Sequence, residues 1–187
     1  MRGQAVKKSF MSITVVILLF VLITVGCRNK NSLDTGQGAD RLNLTLTTDK
    51  DIYTPGEDIR ATVVLSNGQA DTVLVNQRMA SNFLELIGDL GEIYFVILDP
   101  AGEELVFSAH IRIGFPQLSD FAELEPGEWT SQRYVLNEDY YIAGKPGVYA
   151  VQAIYRNDRD PGDGRSAWKG KLVSDMVYFT IAPPATP

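Results

Sequence analysis

The stretch RLNLTLTT, residues 41–48, alternates leucine with asparagine or threonine. Successive side chains of a β-strand point to opposite faces. Leu42, Leu44 and Leu46 therefore share one face, and Asn43, Thr45 and Thr47 share the other. The pattern returns in DIRATVVLSN (58–67), which aligns Ile59, Ala61, Val63 and Leu65. It returns again in KPGVYAVQAIYRN (145–157), aligning Tyr149, Val151, Ala153 and Tyr155, and in LVSDMVYFTI (172–181), aligning Val177, Phe179 and Ile181. No long stretch carries an apolar period of 3.6 residues. Such a chain can bury one side of a pleated sheet but not one side of a helix.

Further strands are expected at DTVLVN (71–76), on both sides of Asp99–Gly102 in EIYFVILDPAGEELVF (92–107), and at WTSQRYVL (129–136). Turn residues separate them at YTPGED (53–58), at Ser66–Gly68 and at ELEPGEW (123–129). About eight strands at fairly regular spacing predict an all-β fold, an antiparallel sandwich of two sheets. MASNFLELIGDL (79–90) fits one or two helical turns and an irregular edge strand equally well.

The N-terminus has a different composition. Arg2, Lys7 and Lys8 precede an uncharged run, apolar from Ile13 to Val25, which ends on Gly26 and Cys27, the single cysteine of the chain. A run of this length suits a signal sequence and is short for a membrane span. The segment resembles a bacterial lipoprotein signal peptide, with Thr24 three residues before the cysteine where the family usually has leucine. The resemblance implies cleavage before Cys27 and lipid on its sulfur and new N-terminus. The alternative is an uncleaved helical anchor over Ser9–Gly26. Both readings place residues 28 onward outside the cytoplasmic membrane. By resemblance, Arg28 after the cysteine favours the outer membrane in a two-membrane cell; otherwise the cell membrane is expected. The organisation is then a signal peptide (1–26), a lipidated cysteine with a flexible linker (27–40), a β-sandwich domain (41–182) and a proline-rich tail (183–187).

Removing Arg2, Lys7 and Lys8 from the 17 basic residues leaves 14 against 23 acidic ones, a net charge of −9. An acidic surface repels phosphate backbones, so nucleic acid is not an expected partner. With one cysteine no internal disulfide forms, and the apolar core must hold the fold.

Three segments carry a second resemblance: YTPGEDIRATVVLSN, LEPGEW, and GKPGVYAVQAIY with the trailing WKGKLVSDMVYFTI. They are similar to bacterial immunoglobulin-like modules over roughly residues 42 to 181, including the intracellular proteinase inhibitor family and the N-terminal regions of some secreted metallopeptidases. The resemblance implies an immunoglobulin-like sandwich and, through the inhibitor family, a proteinase inhibitor presenting an extended loop. Tyr149 is the candidate for a tyrosine corner, a ring in the core with its hydroxyl on nearby backbone.

Catalytic groups are scarce. His110 is the one histidine, with Ser108 two residues away and no orienting acid evident from spacing. No GxGxxG or P-loop pattern occurs, so no cofactor is expected. RNDRDPGDGR (156–165) brings Asn157, Asp158, Asp160 and Asp163 into a tight loop, a weak calcium candidate. Gly162 stands where an EF-hand would place a ligand. Aromatic residues mark two candidate recognition loops: Phe115 and Phe121 in FPQLSDF, and Tyr140 and Tyr141 in NEDYYIAG. Trp168 is expected to anchor the last strand. The expectation is a non-enzymatic binding or accessory module, tethered to a membrane through Cys27, whose partner is an envelope protein or a cell-wall polymer.

Overall fold

The computed structural model describes residues 41–81, 92–108, 114–142 and 144–184. All of them belong to one compact unit, Gly36–Pro187. The signal peptide, Cys27, the linker and His110 lie outside the described residues.

The chain is mostly β, in several sheets that are antiparallel apart from one short parallel pair. The first sheet has the order β1 (Leu42–Thr48), β3 (Arg60–Asn67), β7 (Trp129–Val135). The second has the order β2 (Ile52–Tyr53), β10 (Val177–Ile181), β8 (Gly147–Asn157), β5 (Ile93–Leu98), with β9 (Gly170–Val173) on the far half of β8. Among the strand pairs of the described residues, only β2–β10 is parallel. β4 (Val73–Asn76) and β6 (Phe121–Leu124) make a separate two-stranded ribbon.

The leucines of β1, Ile59 with the alternate residues of β3, and Tyr149, Val151, Ala153 and Tyr155 of β8 are all buried in one apolar cluster. Fully burying one such side chain stabilises by about 1.5–3 kcal/mol. Phe179 ties three neighbouring strands of the second sheet together: its ring stacks on Tyr149 of β8 at 5.2 Å and meets Tyr53 of β2 edge-on at 5.6 Å. The Tyr149 hydroxyl donates to the Lys145 carbonyl, four residues upstream, at 3.0 Å. Trp168 stacks on Tyr155 at 5.9 Å and lies beside the start of β9. A Cβ on Gly170 would come within 2.9 Å of its ring, so only glycine fits there. The turn at Glu125–Glu128 has Pro126 second and Gly127 third at φ 83, as a type II turn requires.

Two strand expectations change. EIYFVILDPAGEELVF forms β5 and turns at Asp99–Gly102, but its return leg makes only isolated bridges, Leu98 to Glu104 and Phe107 to Tyr140. The edge of β5 is already occupied: Phe95 N–H donates to the Tyr140 hydroxyl at 2.8 Å, and Ser81 bridges to Ile93. LVSDMVYFTI divides into the end of β9 and all of β10. Three residues, Ser174 to Met176, stand opposite two of β8, so the edge carries a β-bulge. Ser174 fills the gap: its Oγ accepts from Ala153 N–H at 2.9 Å and donates to the Asp175 carbonyl at 2.8 Å. Sequence reasoning also missed β6 and the single helical turn α1 (Leu136–Asp139).

Candidate functional site

The segment after β4 is built around an ion pair between a buried carboxylate, Glu92, and a half-buried guanidinium, Arg78. Arg78 Nε lies 3.0 Å from both carboxylate oxygens of Glu92, and its Nη2 also donates to Glu92. Glu92 is buried and also accepts Ala80 N–H at 2.9 Å. Removing Arg78 would leave the Glu92 charge inside unpaired, which in a fully buried pair costs about 3–5 kcal/mol. The next residue, Met79, has φ 44, a left-handed conformation that strains a side chain of this kind. The surroundings hold it there. Tyr134 donates to the Met79 carbonyl at 2.5 Å, Tyr155 to the Asn76 carbonyl at 2.9 Å, and Ser81 Oγ to Asp139 at 2.9 Å. Burial, with the Glu92 charge nearby, pushes both tyrosine hydroxyls well above their usual pKa, so they remain donors.

The remaining arm of Arg78 reaches outward. Its Nη1 donates to the Gly114 carbonyl at 3.1 Å and lies 3.7 Å from Asp120 Oδ2. Asp120 Oδ2 accepts Gln117 N–H at 2.7 Å, and its carbonyl accepts Gln77 N–H at 2.8 Å. These bonds fix the loop 114–120, which ends in a 3-10 turn at Leu118–Asp120. Arg159 lies over the Phe115 ring at 4.5 Å. Phe115 is 60% exposed and Leu118 51% exposed, so the braced loop displays two large apolar side chains to solvent.

Of the four aromatic residues singled out for recognition, Phe115 and Tyr141 are exposed, while Phe121 and Tyr140 are buried. Phe121 begins β6 opposite Asn76 and packs with Leu74 and Ala167. Tyr140 follows α1 and meets Phe107 and Phe95 edge-on, at 5.3 and 6.3 Å. Both are core rings, because the local backbone turns them inward.

The three aspartates of the 156–165 loop diverge. Asp160 accepts from Lys169 and from Ala167 N–H, which hold its carboxyl below the usual range. Asp163 accepts from Arg165 N–H and from its guanidinium, with the same result. Asp158 faces Arg159 at 3.7 Å. Among the described residues no three acidic, histidine or cysteine side chains converge as metal ligands would. A shallow groove of about 440 Å³, lined by Thr72, Leu74, Glu123, Glu125, Arg165 and Ser166, lies beside this loop. Its charges are engaged across it, Arg165 with Glu123 at 2.8 Å and Thr72 with Glu125 at 3.0 Å.

Sequence reasoning found Phe115 but not Leu118, Arg78 or Glu92. The two charged residues lie 14 positions apart, and only the fold brings them together. A scan against protein-family models finds no match to the chain, and a search of curated proteins finds none either.

Proposed function

We propose that this chain is a lipid-anchored, extracytoplasmic binding module that acts without catalysis and engages an envelope protein through the loop 114–120. The observation that carries the reading is the exposed pair Phe115 and Leu118 on a loop braced by the buried Arg78–Glu92 bridge. Apolar anchors on a preorganised loop lose little entropy on binding, which favours recognition. The lipoprotein-like segment ending at Cys27 supports the anchor and the address, cell membrane or outer membrane. Two features support an immunoglobulin-like sandwich: the strand orders β1–β3–β7 and β2–β10–β8–β5, and the bond from the Tyr149 hydroxyl back to Lys145.

A photo-crosslinking amino acid in place of Phe115, in the full chain within host membranes, tests the loop. The expected result is one discrete adduct, weakened at least tenfold by Leu118→Ser. The same adduct from a crosslinker at Val106, which is exposed elsewhere, would remove the loop from the function. The intact mass of the purified protein tests the anchor: a lipidated N-terminus at Cys27 is expected, and a retained Met1 would overturn it.

A second reading is a proteinase inhibitor. It is favoured by the extended backbone of Gln117, φ −95 and ψ 168, two residues after Phe115. Unchanged rates across a panel of serine and metalloproteases would dispose of it.

A further inference from the structure

The loop 114–120 sits at a definite end of the domain, and a path of hydrogen bonds leads to it from the first strand. Leu42, the first residue of β1, pairs with Asn67, whose Nδ2 donates to the Leu124 carbonyl at 2.8 Å. Leu124 pairs with Val73 of β4, and the carbonyl of Leu74 accepts Trp168 N–H at 2.8 Å. The Asn157 side chain, at the end of β8, donates to the Trp168 carbonyl at 2.6 Å and to the Arg159 carbonyl at 2.9 Å. Arg159 in turn covers the Phe115 ring. The start of β1, the end of β8 and the loop therefore share one pole. The opposite pole, where Thr48 pairs with Ala61 and Val148 with Thr180, lies a strand length away, about 20 Å.

We infer that the partner of this loop is a protein held in the same membrane as the chain, offering an apolar socket inside a basic rim. The inference rests on the proposed binding role of the loop and on the proposed anchor at Cys27. Two observations carry it. The first is where the chain enters the domain. Fourteen residues, 28–41, separate Cys27 from Leu42. A flexible chain of that length spans about 20 Å root-mean-square and at most about 48 Å. It joins the domain at the loop's own pole, so Phe115 and Leu118 are displayed within a tether's reach of the anchoring point. A partner standing away from the membrane would meet the opposite pole first.

The second observation is charge. At this pole the segments 67–72, 123–128 and 158–169 carry seven carboxylates against three basic side chains, and Arg41 makes four. Arg165 is taken up by Asp163 and Glu123, and Lys169 by Asp160. Anionic headgroups repel such a surface, which favours protein over lipid as the occupant. A basic rim complements the carboxylates, and an apolar socket takes the exposed Phe115 and Leu118.

A cleavable tether tests it. The full chain carries the photo-crosslinker at Phe115 and a protease site inserted between Gly38 and Ala39. Host membranes are irradiated, cut with the protease and washed with alkaline carbonate. The adduct is expected in the membrane pellet, through its partner alone, while the uncrosslinked domain moves to the supernatant. An adduct that leaves with the supernatant would overturn the inference and keep the binding role of the loop. No adduct at all would overturn the binding role, and the inference with it. Adducts that carry the mass of one phospholipid would assign the loop to the bilayer instead. Glu123→Lys with Asp158→Lys should lower the adduct yield at least tenfold. Glu103→Lys with Glu104→Lys, at the opposite pole, should leave it unchanged. Circular dichroism and melting establish that each variant is folded, and Glu125→Lys replaces either of the first pair if it is not. A yield that survives reversal of the near-pole charges would overturn the basic rim.

Discussion

At the scale of single residues, the most consequential contact is the one between Arg78 and Glu92. It anchors a strained Met79 on one side and the exposed loop 114–120 on the other. Glu92→Gln keeps the shape and removes the charge, leaving the partly buried guanidinium with only the more distant Asp120 carboxylate, 3.7 Å away. The expected cost is about 3 kcal/mol in urea unfolding. Limited proteolysis should show faster cleavage near Leu118, because the brace on Gly114 and Asp120 is weakened. Unfolding that matches the parent would mean that the pair contributes nothing net. Asn76 belongs to the same cluster: it is fully buried, its Oδ1 accepts Arg78 N–H at 3.1 Å, and its Nδ2 has no hydrogen-bond partner among the described residues.

At the scale of elements, Ser174 shows how a side chain can stand in for backbone. Its hydroxyl accepts the Ala153 N–H that the bulge would otherwise leave unmet. Ser174→Ala strands that amide in the core, with an expected loss of about 1–3 kcal/mol and faster hydrogen exchange at Ala153. Exchange unchanged at that amide would show that something else satisfies it. This detail also marks the limit of what was legible in the sequence. Alternation with period two placed the buried faces of β1, β3 and β8, because burial of one side leaves a direct trace in residue type. It gave no warning that LVSDMVYFTI would break, since Val173 and Val177 are both apolar and the extra residue is visible only in the register. Nor did it separate exposed rings from core rings. Phe115 and Phe121 lie six residues apart in one polar context, and the start of β6 at Phe121 decides their fates. Outward apolar residues were legible too: Val148 and Ala150 alternate with the inward set of β8, and Ile154 beyond them is itself buried. A strand apolar on both sides asks for cover on both.

At the scale of the whole molecule, stability should be confined to a pH window. The Lys50 hydrogen bond, with the N–H of Thr54, holds the Glu57 carboxyl down to about 2. Asp99, Asp160 and Asp163 are also lowered, mainly by bonds from backbone N–H groups or from Lys169. A lowered carboxyl contributes stability above its unfolded pKa, which is lost as pH falls through the folded value. The urea midpoint should therefore drop from about pH 4 downward. Tyr53, Tyr134, Tyr140 and Tyr155 are shifted upward, chiefly by burial. A raised hydroxyl contributes stability below its unfolded pKa near 10, and that contribution is lost as pH climbs beyond it. The midpoint should fall again above pH 10, and a midpoint flat from 3 to 11 would contradict both halves. The bulge at Ser174 has a consequence on this scale too. Among the described residues no strand pairs with the outer side of β9, so a stranger's strand would find an open margin there. The kink ends that margin after the four residues of β9, and β2 pairs with the outer side of β10 beyond it, so the open run is too short to template a growing fibre. Molecules crowded together on a surface can then gather without polymerising.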